Sequence, residues 1–145
     1  MVAEPIFISG GKHVDERGSL SFVNDFCLDE VKRLYIIEHP TVDIVRAWQG
    51  HKKEQKWFLV TAGSFTIFVV QPDNWEKPAD LLETKKFVLS ENSMGVLHVP
   101  GGHATGLKAL MPDSKMIVYS DFTVEQSSLD SYRFDKALWC DWNKI

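Results

Sequence analysis

Trp57-Phe58-Leu59-Val60-Thr61-Ala62-Gly63-Ser64-Phe65-Thr66-Ile67-Phe68-Val69-Val70-Gln71-Pro72 is the stretch that decides the fold class. Two runs rich in aromatic and β-branched residues flank Ala62-Gly63, and Pro72-Asp73-Asn74 closes the second. Runs of this composition bounded by turn residues read as strands. The same pattern extends outward in both directions. On the N-terminal side, Phe7-Ile8 ends at Ser9-Gly10-Gly11, Leu20–Phe22 follows Asp15-Glu16-Arg17-Gly18, Leu34–Ile37 ends at His39-Pro40, and Val45–Trp48 ends at Gly50. Beyond Pro72 come Phe87–Leu89, Met94–Val99, Leu107–Leu110 and Lys115–Phe122. Turn signals at roughly 8–12-residue intervals predict an all-β sandwich or barrel.

Helix signals are few. A short helical turn is expected within residues 25–31. A terminal helix is expected over Ser127 to Trp139, where Leu129, Tyr132, Ala137 and Leu138 are loosely spaced. Pro72 to Glu83 reads as a long loop joining two halves of the barrel. Two halves of short strands joined by such a loop predict a jelly roll, the double-stranded β-helix. It would fill residues 1–145 as one domain with a short C-terminal helical segment. A barrel of about eight strands is just wide enough inside for a small ligand.

Composition narrows the function classes. The 145 residues carry 16 Lys+Arg against 20 Asp+Glu, a formal charge of −4, which argues against a general nucleic-acid binder. Cys27 and Cys140 lie far apart and form no Cys-x-x-Cys, as expected of free thiols in a reducing compartment. No basic-then-apolar leader opens the chain, and no apolar run approaches the ~18 residues that span a bilayer. The expectation is a cytoplasmic protein with no membrane partner.

Strand alternation sorts side chains by face. It groups Ala47, Gln49 and His51; Lys56, Phe58, Val60 and Ala62; Val96 and His98; and Lys115, Ile117, Tyr119 and Asp121. Polar groups therefore interrupt apolar faces at His51, Lys56, His98 and Tyr119, and polar groups inside a barrel need partners or a wet cavity. Each also has an ordinary reading. His51 could be a solvated strand end, Lys56 a rim lysine, His98 a satisfied core histidine, and Tyr119 a packing residue. His13 and His39 read as turn residues without a role. His51, Glu54 and His103 are the only plausible metal set. Gln49 is a poor transition-metal ligand, so no metal and no cofactor is expected.

Asp15-Glu16-Arg17-Gly18-Ser19-Leu20, Lys32-Arg33-Leu34-Tyr35, Arg46-Ala47-Trp48-Gln49-Gly50-His51-Lys52-Lys53 and Gly63-Ser64 resemble segments of the cupin sugar-nucleotide isomerases. The likeness continues through Leu97-His98-Val99-Pro100-Gly101-Gly102-His103-Ala104 and Tyr119-Ser120-Asp121-Phe122 to Tyr132-Arg133-Phe134-Asp135. Two branches are similar: the WxcM-like dTDP-sugar 3,4-ketoisomerases and the dTDP-4-dehydrorhamnose 3,5-epimerases. The resemblance implies a metal-free jelly-roll homodimer, with an N-terminal strand near Ile6–Ile8 exchanged between subunits, that binds a nucleotide sugar in its barrel. It implies that Arg17 lies near the nucleotide and Arg46 at the diphosphate. It also places Arg33, Tyr35, His98 and His103 among the substrate-binding residues. The family histidine is replaced here by Gln49. His51 matches the second histidine of the ketoisomerases, Lys56 matches the epimerase lysine spacing, and Thr105 stands where the epimerases carry histidine.

The implied chemistry is proton abstraction beside a 4-keto group, through an enolate. His51 would shuttle the proton and Lys56 or Gln49 would hold the enolate oxygen. Tyr119 would act as a second acid or stacking surface. Trp48 and Trp57 are expected to pack between the sheets. The alternative function is a catalytically impaired cupin that binds a sugar nucleotide or carbohydrate without turnover.

Overall fold

Each run read as a strand falls on a strand. The computed structural model describes residues 2–145. The strands are β1 (Ile6–Ser9), β2 (Gly11–Asp15), β3 (Gly18–Phe22), β4 (Arg33–His39), β5 (Val45–His51), β6 (Lys56–Ala62), β7 (Ser64–Val70), β8 (Thr84–Ser90), β9 (Gly95–Val99), β10 (His103–Ala109), β11 (Ser114–Ser120) and the two-residue β12 (Tyr132–Arg133). One sheet has the order β1-β9-β6-β11-β4 and the other β12-β5-β10-β7-β8, while β2 and β3 form a separate hairpin. All pairings are antiparallel. The two five-stranded sheets face each other as a jelly roll, and the loop expected after Pro72 runs from residue 71 to residue 83.

The apolar period places the core between the sheets. Phe58, Val60, Leu97, Val99, Met116 and Val118 from the first sheet pack with Phe65, Ile67, Leu89 and Leu107 from the second. The turn between β6 and β7 depends on Gly63. Its φ is +70°, and an added Cβ would lie 2.1 Å from Ser114 Oγ.

A second apolar cluster lies on the outside of the second sheet. Trp48, Phe68, Val70 and Ala104 are covered there by Trp139 and Trp142 of the C-terminal segment. Trp48 is therefore buried outside the barrel, not between the sheets. Trp57 also faces outward, from the first sheet, and stacks on His98 with ring centroids 4.8 Å apart and 5° between planes.

The helical expectations shift. No helix forms in residues 25–31, which hold two turns. The helix expected over Ser127 to Trp139 is instead a short one, α1 (Val124–Ser128). Thr123 and Gln126 close it with a reciprocal capping box. Ser131 to Asp141 then lies flat across the second sheet through β12, and one 3-10 turn, Trp142–Lys144, ends the chain. Among the described residues, no helix is long and apolar enough to cross a membrane.

Candidate active site

β4, β5, β6 and β10 position a cleft of about 400 Å³ between the sheets, and Arg133 of β12 lines its edge. Its polar lining is Tyr35, Arg46, Gln49, Lys56, Thr105 and Arg133, set against Ile37, Phe58 and Leu107. Simple alternation would put Arg46 and Gln49 on opposite faces. A bulge prevents this. Gln49 pairs with Thr105 and Arg46 with Leu107, so three steps on β5 match two on β10 and both side chains reach the cleft.

Arg46 is held from below. Its Nε donates to Nε2 of His39 at 3.2 Å. His39 is 1% exposed and packs edge-on against Phe65. Burial, helped by the Arg46 charge, pushes its pKa down. A neutral His39 that accepts at Nε2 leaves the guanidinium tips of Arg46 free to meet an anion. Lys56 lies 5.6 Å from the centre of the Tyr35 ring, and Arg33 approaches the same ring at 5.2 Å. The cleft is thus cationic over an aromatic wall.

Gln49 contributes less than its position suggests. Its amide nitrogen is committed to Ser131 Oγ at 3.0 Å, with Tyr132 O and Gly50 O at 3.3 Å. It ties the C-terminal segment to β5, and of the two residues expected to hold an enolate oxygen Lys56 keeps its side-chain donors unspent among the described residues.

His51 follows Gln49 on the inward face of β5 and is buried, outside the lining of the cleft. Its Nδ1 lies 2.6 Å from the backbone carbonyl of Asp130. A carbonyl can only accept, so Nδ1 carries the proton and Nε2 presents its lone pair. That Nε2 is buried without a hydrogen-bond partner among the described residues. Burial first, then the Lys56 charge, pushes the His51 pKa down, while Glu54 and Asp130 pull it up. The turn after His51 is fixed by the Asp130 carboxylate, which accepts from the amides of Lys52, Lys53 and Glu54 at 2.8–2.9 Å.

Five expected site residues, Tyr119, His98, His103, Arg17 and Arg33, do not line the cleft. Tyr119 does not face the lumen. It pairs with Trp57 and Leu34 in the outward row of the first sheet, and its ring sits 5.2 Å from that of Phe26. His98 shares that outer face, where its Nε2 meets Gln55 Oε1 at 2.8 Å, and burial lowers its pKa. His103 pairs with His51 across the strands but lines a separate cavity of about 360 Å³ beside Glu4, Glu83 and Lys85. Arg17 occupies the tip of the β2–β3 hairpin, far out in solvent, where it pairs with Asp15 at 2.6 Å. Arg33 reaches the Tyr35 ring but turns its Nε to Phe122 O, to which it donates at 3.0 Å. Among the described residues, no three His, Cys, Asp or Glu side chains converge as metal ligands would. Sequence reasoning missed Arg133 and His39. Arg133 lies in a quoted motif, but nothing local marks it as facing the cleft.

The comparisons with known proteins agree with this architecture. The family model described as "FdtA: WxcM-like, C-terminal" matches residues 6–137. The chain belongs to this WxcM-like family. No curated protein sequence matches it. Among solved structures, a mutant of the 3,4-ketoisomerase QdtA from Thermoanaerobacterium thermosaccharolyticum, in complex with TDP-4-keto-6-deoxyglucose, superposes with a TM-score of 0.71 at 21% identity, covering 92% of this chain and 90% of that one. A dTDP sugar isomerase from Desulfovibrio desulfuricans gives 0.78 at 16% identity over 99% and 94%. The rmlC epimerase of Mycobacterium tuberculosis gives 0.74 at 17% over 95% and 74%. At these identities the likeness establishes the jelly roll of this WxcM-like chain.

Proposed function

We propose that this protein is a sugar-nucleotide isomerase acting on a dTDP-linked 4-keto-6-deoxyhexose in surface-polysaccharide sugar biosynthesis. The observation that carries the reading is the buried Nε2 of His51, without a hydrogen-bond partner among the described residues, on the same strand as Arg46 and Gln49 of a cleft also lined by Arg133 and Lys56. Two guanidinium groups suit a diphosphate. The ammonium of Lys56 suits an oxyanion developing in a low-dielectric site. His51 Nε2 takes the proton from the carbon beside the 4-keto group. The C–H electron pair moves onto the carbonyl oxygen as an enolate held by Lys56, and the proton returns at another carbon. Family membership and neighbours described as dTDP-sugar isomerases support this substrate class.

The same reading makes the protein a cytoplasmic homodimer. Ile6, Leu34 and Ile36 are exposed on the outer face of the first sheet, beside Trp57 and Tyr119, and a second copy would cover them. In such a dimer Arg17 would serve the cleft of the other copy, reaching there on its exposed hairpin. The test is solvent-deuterium exchange into dTDP-4-keto-6-deoxyglucose. Label at C3 alone marks a ketoisomerase, and label at C3 and C5 marks an epimerase. A shifted melting temperature with no label at either carbon would replace the enzyme with a binding module.

A further inference from the structure

Glu54 is the most deeply buried charge-bearing side chain near the site, and the mechanism above leaves it unused. Its side chain has 0% exposure, yet it holds no place in the cleft. Four elements converge on it. Ser127 of α1 donates to Oε1 at 2.6 Å, and Ser120 at the end of β11 donates to Oε2 at 2.7 Å. Arg33 at the start of β4 approaches Oε2 at 3.5 Å. His51 Nδ1, at the end of β5, lies 3.3 Å from Oε1. The Glu54 backbone is itself clamped, since its amide donates to Asp130 Oδ2 at 2.8 Å.

A carboxylate buried this completely is costly unless it meets a positive charge. Arg33 is at the long end of hydrogen-bond range, and the closest ring that can become positive is His51. We infer that Glu54 is a positioning residue that supplies the counter-charge for His51 when that ring becomes an imidazolium. This rests on the reading of His51 as the base. The step balances simply. The substrate C–H proton moves to Nε2, its electron pair moves to the carbonyl oxygen, and Nδ1 keeps its own proton between Asp130 O and Glu54 Oε1. Glu54 takes no proton and holds the new positive charge in a site where Lys56 opposes it. The two serines fix the carboxylate so that it faces Nδ1 without reorganising. Asp130 serves the same end through the backbone, setting the tautomer with its carbonyl and the turn with its carboxylate.

The test uses Glu54→Gln in the full chain. The His51 midpoint is followed by NMR of the ring without substrate, and exchange kinetics are followed with the nucleotide sugar. The expected result is a His51 midpoint about one pH unit lower. In parallel kcat falls roughly tenfold at neutral pH, KM holds, and the acid limb of the pH profile moves down. A folded variant with an unmoved His51 midpoint overturns the inference, because a packing role alone would change melting temperature and not titration. Should Glu54→Gln fail to fold, Glu54→Asp withdraws the charge by one methylene, and its His51 midpoint must fall in the same direction. If the wild type shows no exchange, the isomerase reading fails, while the titration still decides the role of Glu54.

Discussion

Arg46 donates its Nε–H to Nε2 of the buried His39 across 3.2 Å, so an imidazole beneath the cleft floor aims a guanidinium into it. The hydrogen bond spans the two sheets, from β5 to β4. It fixes Arg46 at one edge and leaves the other for an anion. Replacing Arg46 with Ala should weaken nucleoside diphosphate binding by about 1.5–3 kcal/mol, the worth of hydrogen bonds to charged groups. His39→Leu should give a smaller loss in the same assay, with kcat retained. Calorimetry with TDP measures both, and an unchanged affinity in the Arg46 variant would move the diphosphate elsewhere.

Between Lys56 and Gln49, it is Lys56 whose donors stay unspent among the described residues, since Gln49 spends its amide on Ser131 and Tyr132. Lys56→Met keeps the stem and removes the charge. Exchange into the 4-keto sugar should slow by roughly 100–1000-fold, the scale of losing one oxyanion donor. TDP affinity should stay within a few fold. A fall in affinity at constant kcat would instead make Lys56 a phosphate ligand.

The strands were legible because their residues alternate strongly between turn signals, and the long loop was marked by its prolines. Which face turned inward was not. Alternation groups Tyr119 and His98 with the neighbours they share a face with, but both faces of β6 and β11 carry apolar residues: Phe58 and Val118 inside, Trp57 and Ile117 outside. A hydrophobic pattern that serves two faces cannot choose between them. Arg46 escaped parity because the bulge beside Ala47-Trp48 is a feature of pairing, not of the strand alone. The partners of His51 come from far along the chain: Asp130, and Ser120 and Ser127 through Glu54. Nothing in the local sequence around His51 announces them. His39 looked like a turn residue because Pro40 follows it, yet it is the last inward position of β4.

The exposed apolar row gives a third expectation. Leu34 and Ile36 are 56% and 63% exposed on the edge strand β4, and Ile6 is 58% exposed on the opposite edge strand β1. Ile36→Glu places a charge in that row without touching the core. Sedimentation should find the wild type as a dimer and the variant shifted toward monomer, with its melting temperature near the wild-type value at matched concentration of monomer. A monomeric wild type would show that this face meets some other partner.

Acid should unfold this protein through its histidines before its carboxylates. Burial lowers the pKa of His39, His51 and His98, so each binds its proton at lower pH in the folded chain than in the unfolded one. Above about pH 6.5, where an unfolded histidine is neutral, these groups are neutral in both states and their contribution to stability is complete. As pH falls through that value toward the folded midpoints, the unfolded state takes up protons first and stability declines. Melting temperature measured from pH 7.5 to 5 should therefore fall steadily. His39→Leu should flatten the slope, because it removes one of the three groups. The lowered pKa values of Glu4 and Asp15 act in the same direction, but through exposed carboxylates that titrate below this window. A melting temperature that stays level or rises between pH 7 and 5 would mean that the buried imidazoles take up protons without cost, and the neutral His39 that orients Arg46 would have to be given up.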